Sequence, residues 1–108
     1  MKPTKIEVRR NKGTSAILAF VDITFDNTLV VRGFRLVRGK NGIFLAHPSR
    51  KGNDGKFYNI TTFVDEGESE SAGNIYKKRL EEIVLEKAKE VGAIDATAEE
   101  VASDGVPF

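Results

Sequence analysis

The chain has 108 residues, 40% hydrophobic and 31% charged, which suits one domain around one modest core. Its 17 Lys/Arg and 16 Asp/Glu leave a net charge of +1, but the total joins two unlike halves. Residues 1–60 carry 12 basic against 4 acidic side chains, whereas residues 61–108 carry 5 against 12. The absence of cysteine excludes a disulfide framework and thiolate chemistry, and fits a reducing cytoplasm. The longest apolar run, Ala16 to Val21, is far short of the ~20 residues a membrane helix needs. The N-terminus begins with charges and then alternates, so no export signal is expected.

Residues 5–10 alternate in the period-2 manner of a half-buried strand, and Asn11-Lys12-Gly13 is a turn. Residues 15–25 are rich in β-branched and aromatic types, with Ile17, Ala19, Val21, Ile23 and Phe25 on one face. Leu18 and Phe20 fall on the other face, so this strand is central, covered on both sides, or part of a subunit interface. Asp26-Asn27 tolerates left-handed backbone and predicts a tight hairpin into a second long strand, Thr28 to Arg38. Arg32, Arg35 and Arg38 decorate both faces of that strand. Gly39-Lys40-Asn41-Gly42 makes a second turn into the short apolar strand Ile43–Ala46, which Pro48 stops because it has no N–H.

Residues 48–56 read as an exposed basic loop, followed by a last strand, Phe57 to Val64, and an acidic stretch, Asp65 to Glu70. From about Ser71 the period becomes 3.6. Tyr76, Leu80, Ile83, Val84 and Val91 draw one apolar stripe, with Ile75 and Leu85 beside it. Ser69 or Ser71 supplies the N-cap and Gly92 the stop. The expected fold is α+β: about five mainly antiparallel strands in meander-like succession, then one long helix. The domain is expected to span 1–92, leaving 93–108 as an acidic, weakly ordered tail.

Catalysis finds little support in these residues. The single histidine, His47, stands at a strand end and reads as an ordinary polar residue, since metal and acid–base sites need partners at fixed spacing. The glycine-rich segments 39–42 and 52–55 match no phosphate-binding motif, and 65–70 lacks the ligand order of a calcium loop. No cofactor, metal or small-molecule substrate is expected, and no enzyme activity. The basic loops are more informative: Arg50, Lys51 and Lys56, with Lys40 on a neighbouring turn, are placed to reach phosphates. Among the aromatics, Phe44, Phe57 and Phe63 read as core, and Tyr58 alone as a surface platform for a base.

The stretch from Phe25-Asp26-Asn27 through Val31, then Arg35, then Asn41-Gly42-Ile43-Phe44-Leu45-Ala46-His47-Pro48-Ser49-Arg50-Lys51, then Asp54-Gly55-Lys56-Phe57, resembles the bacterial SpoVG family of septation regulators. The family pattern is an LDN…VV…IR hairpin, NGLFVAMPS followed by two basic residues, and DG.F.DI. The resemblance covers roughly residues 1–92 and implies a small sheet with a C-terminal helix, a homodimer and a cytoplasmic protein. It also implies a role in septation and sporulation, and gene regulation through DNA or RNA binding. The family's basic pair falls on Arg50 and Lys51. A third basic position of some members is Asn53 or Asp54 here, and the family's Met before Pro-Ser is His47.

The expected function is therefore a dimeric regulator that binds DNA or RNA through the Arg50/Lys51 loop. The alternative is a protein–protein adaptor of the division or sporulation machinery, docking through its dipolar charge without binding nucleic acid. The tail acids Asp95, Glu99, Glu100 and Asp104 are expected to compete with phosphate for the basic loops.

Overall fold

Asp26 and Asn27 both take left-handed φ angles of 52°, and Thr28 N–H donates to Phe25 O at 2.9 Å, closing a tight turn between the two longest strands. The computed structural model that shows this describes residues 1–13 and 15–95. Four strands form one antiparallel meander in the order β1 (Pro3–Arg10), β2 (Ile17–Phe25), β3 (Leu29–Gly39) and β4 (Gly42–Ala46). Two three-residue strands, β5 (Ser49–Lys51) and β6 (Phe57–Asn59), pair as a separate sheet, and the helix α1 (Ala72–Glu90) follows. The α+β reading and the single C-terminal helix are thus observed. The expected fifth strand, Phe57 to Val64, is shortened to β6 and pairs with β5, a strand within the expected loop, outside the main sheet.

The core lies between one face of the meander and the helix. Ala19, Val21, Ile23, Phe25, Phe34, Leu36, Ile43 and Leu45 point inward from the sheet, and Leu80, Val84, Leu85 and Ala88 meet them. Each fully buried aliphatic or aromatic side chain contributes about 1.5–3 kcal/mol relative to exposure. β2 is central, as its double-sided apolar pattern suggested. Its register with β3 shifts between Ile17 and Ala19 and again between Val21 and Ile23. At the second shift Asp22 is buried. Its carboxylate accepts from Arg9 at 2.8 Å, Arg32 at 3.3 Å and the Gly33 N–H at 3.3 Å. The Arg9 hydrogen bond, ahead of the burial that opposes it, holds the Asp22 carboxyl below its usual range.

Ser71 caps the helix, its Oγ accepting from Asn74 N–H at 3.0 Å. Gly92 N–H donates to Lys89 O and Ala93 N–H to Ala88 O, the paired bonds of a Schellman stop. Ala93 is buried and Ile94 packs on the core, while residues 96–108, most of the expected tail, lie outside the described residues. The helix stripe differs from expectation. Ile75, Ile83 and Val91 are about half exposed, whereas Asn74, Lys77 and Glu81 are buried. Glu81 decides the rotation, because its Oε2 accepts the β4 edge N–H of Leu45 at 2.8 Å and draws the 77–81–84–88 face inward. Gly73 permits the close approach at the helix start, since a Cβ there would stand 1.8 Å from Val64 O.

Candidate nucleic-acid interface

Past Pro48 the chain leaves the main sheet as a short arm. β5 and β6 pair antiparallel, with Ser49 opposite Asn59, Arg50 opposite Tyr58 and Lys51 opposite Phe57. Ile60 N–H donates to Pro48 O at 2.7 Å at the base, and Gly52 N–H to Lys56 O at 2.7 Å at the tip. Residues 49–51 are therefore a strand where a loop was expected. The expected strand 57–64 ends at Asn59, because its partner runs out at Ser49 and Pro48 has no N–H to extend the ladder. Sequence reasoning missed β5 because Ser-Arg-Lys has no apolar alternation to show.

The arm is ordered by a fixed base and a braced tip. At the base, Arg35 donates through Nη2 to His47 O at 2.7 Å and to Ser49 Oγ at 3.3 Å. His47 is buried between the Phe34 and Phe63 rings, its Nδ1 2.9 Å from Thr61 Oγ1 and its Nε2 2.7 Å from Glu66 Oε1. Burial pushes the imidazole pKa down, against the pull of Glu66, so the ring favours its neutral form. Glu66 Oε1 also accepts from Phe63 N–H at 2.7 Å, and its Oε2 lies 3.6 Å from Lys77 Nζ, which stands 4.0 Å from Glu81 Oε2. Desolvation raises the Glu81 carboxyl to about 7. At the tip, Tyr58 OH donates to Asp54 Oδ2, and Asp54 Oδ1 accepts from Lys56 N–H at 3.0 Å. The Tyr58 ring covers Gly52 so closely that a Cβ there would sit 2.8 Å from it.

On this frame Arg50, Lys51 and Lys56 are all exposed, and among the described residues none of the three makes an ion pair. Successive strand residues point to opposite faces, so Arg50 and Lys51 offer charge on both sides of the ribbon. Lys40 is exposed in the β3–β4 turn, at the far end of β4 from the arm, roughly 17 Å away at ~3.4 Å per strand residue. The structure brings Arg50, Lys51 and Lys56 together and leaves Lys40 apart.

Two residues read differently from expectation. His47 is a buried linchpin rather than a peripheral strand-end group, and its Thr61 and Glu66 partners are too far along the chain to be seen by spacing. Phe57 is 71% exposed, more so than Tyr58 at 48%, and so is not core. Phe44 and Phe63 are partly buried, with Phe63 packed against the core. Among the described residues no three His, Cys, Asp or Glu side chains are grouped to hold a metal ion, and no helix is long and apolar enough to cross a membrane.

The SpoVG family model matches residues 1–90. A protein of Caldanaerobacter subterraneus subsp. tengcongensis named "Putative septation protein SpoVG" is 39% identical over 90 residues, covering 83% of this chain and 93% of its own. One of the same name from Lachnoclostridium phytofermentans is 33% identical over 93% of this chain and 98% of its own. "Putative septation protein SpoVG 2" of Listeria monocytogenes is 32% identical over 91% of this chain and 88% of its own. The match spans every strand and the whole helix, including the Pro48–Lys51 step from sheet to arm, and the chain belongs to the SpoVG family.

Proposed function

We propose that this protein is a non-catalytic, homodimeric cytoplasmic regulator connected with septation, the process in its relatives' names, and that it binds DNA or RNA through the β5–β6 arm. The observation that carries the reading is the contrast in charge use. Arg9, Arg32 and Lys77 are engaged by carboxylates, while Arg50, Lys51 and Lys56 are held out on a braced ribbon with no acid opposite them. Phosphate is the ligand that fits exposed cations of this kind, Arg in a bidentate fork and Lys as a point charge. Two arms in a dimer double the cation count, which suits binding that grows with each neutralised phosphate.

The test is a mobility-shift titration of the wild type against Arg50→Ala/Lys51→Ala at several salt concentrations. If both residues meet phosphate, the double variant binds more weakly and its log–log salt slope on duplex DNA becomes shallower by about 1.8 per arm. Equal affinity and equal slope would remove the arm from the mechanism. Salt-sensitive retention on a protein partner together with no retention on DNA-cellulose would favour the adaptor reading instead.

A further inference from the structure

The aromatic residues of the arm do not fit a ribbon that reads only phosphates. Phe57 is 71% exposed and stands opposite Lys51, and Tyr58, 48% exposed, stands opposite Arg50. Directly paired residues of an antiparallel ribbon share a face with Cβ atoms about 4.5–5.5 Å apart, so each face carries one cation beside one ring. The two rings are not equivalent. Tyr58 lies over Gly52 with its hydroxyl tied to Asp54, so it is committed to bracing the tip. Phe57 has no such duty: it is absent from the core cluster and takes part in none of the ring contacts among the described residues.

Resting on the arm's proposed role in nucleic-acid binding, we infer that its ligand is an unpaired strand, with a base stacked on Phe57 and the adjoining phosphate held by Lys51 on the same face. In a duplex both faces of every base are already covered by neighbours, and a phenyl ring has no hydrogen bond to offer a base edge. An unpaired base presents an open π face, and a cation beside the ring collects the phosphate that follows it. Ile60 and Val64 are also exposed, but they lie past the ladder and have no cation opposite them. The chemistry is shared by single-stranded DNA and RNA. The charge around Phe57, rather than its apolarity alone, selects a polyanionic strand over a second protein surface.

The experiment measures fluorescence anisotropy of the full chain with labelled dT15, labelled rU15 and the dT15 strand annealed to its complement, at matched salt. The variants are Phe57→Ala, Phe57→Leu, Phe57→Tyr and Arg50→Ala/Lys51→Ala, each sized by light scattering. The wild type is expected to prefer one or both single strands over the duplex by at least about 10-fold. Phe57→Ala and Phe57→Leu should weaken single-strand binding by about 5- to 150-fold, the range for losing one stacked base, with an unchanged salt slope. Phe57→Tyr should restore it, and duplex binding should not move. Tighter binding to rU15 or to dT15 tells which strand is the better ligand. If Arg50→Ala/Lys51→Ala weakens binding but Phe57→Ala does not, or if Phe57→Ala weakens duplex equally, the stacking inference is overturned while the arm's role stands. A Phe57→Ala variant that changes subunit number assigns the ring to a protein contact and also overturns it. If the double basic variant changes nothing on any strand, the arm's role itself fails.

Discussion

Two regions joined at Pro48 spend their charged residues in opposite ways. On the sheet side, His47 enters a buried chain of Thr61, Glu66, Lys77 and Glu81, in which each ionisable group faces another and the Leu45 N–H of the sheet edge finds an acceptor. Beyond Pro48, Arg50, Lys51 and Lys56 are held in water beside two aromatic rings, on a ribbon whose own acid, Asp54, is turned to Tyr58 and the backbone. Charge density alone does not separate these regions. What separates them is whether a partner of opposite sign lies within reach, and that depends on contacts distant in sequence.

The largest effect should come from breaking the buried side. Glu66→Ala removes the partner of His47, of Lys77 and of the Phe63 N–H at once, and should cost about 3 kcal/mol in urea denaturation, as expected for a buried pair left half-made. Arg50→Ala/Lys51→Ala should leave the denaturation midpoint nearly unchanged. If both variants unfold at the wild-type midpoint, the buried chain is not a structural anchor and the comparison collapses.

A second test uses pH. Glu81 is raised from 4.5 to about 7, so the folded state holds its proton more tightly than the unfolded state. Its contribution is fully present below 4.5 and is lost as pH rises to about 7. His47 acts in the opposite sense. Its pKa is lowered from 6.5, so its contribution is present above 6.5 and is lost as pH falls below that value. Glu81→Gln keeps an acceptor for the Leu45 N–H but removes the proton uptake. Stability measured from pH 5 to pH 8 should then rise with pH, where the wild type shows two opposing trends. A parallel pair of curves would show that Glu81 titrates normally.

The smallest effect concerns the C-terminus. Ala93 and Ile94 belong to the packed body, so a truncation that tests the acidic tail should remove 96–108 only. Loss of Glu99, Glu100 and Asp104 should tighten nucleic-acid binding several-fold at low salt and little at high salt, within reach of screening over a Debye length. Unchanged affinity at low salt would mean that the tail acids do not compete for the arm.

The meander was legible in the sequence because its signals are local: alternation in 17–25 and 28–38, a left-handed pair at Asp26-Asn27, and glycines bracketing Lys40-Asn41. The Arg50/Lys51 pair was legible as a pair but not as part of a strand, since a three-residue ribbon is defined by its partner and not by its pattern. The helix face was misread because an apolar stripe assumes that charges face water, and Lys77 and Glu81 do not. Phe57 was misread for the complementary reason: strand parity tells which residues share a face but not whether anything covers that face. In each case the missing information was whether another segment of the chain makes a contact there, which a local pattern does not carry.

The Glu81 carboxylate on Leu45 has a consequence for how molecules of this protein meet. β4 is an outer strand of the meander, and outer strands present unmet donors and acceptors on which another chain can build. Here one of those donors is already occupied by a side chain from the helix, at the fourth residue of a strand only five residues long. A foreign strand approaching β4 must therefore displace a buried carboxylate before its first rung can form. The opposite edge, β1, carries Lys5, Glu7, Arg9 and Arg10 instead, whose charges oppose uniform stacking. One edge is closed by a plug and the other is guarded by charge, so the meander stops at four strands.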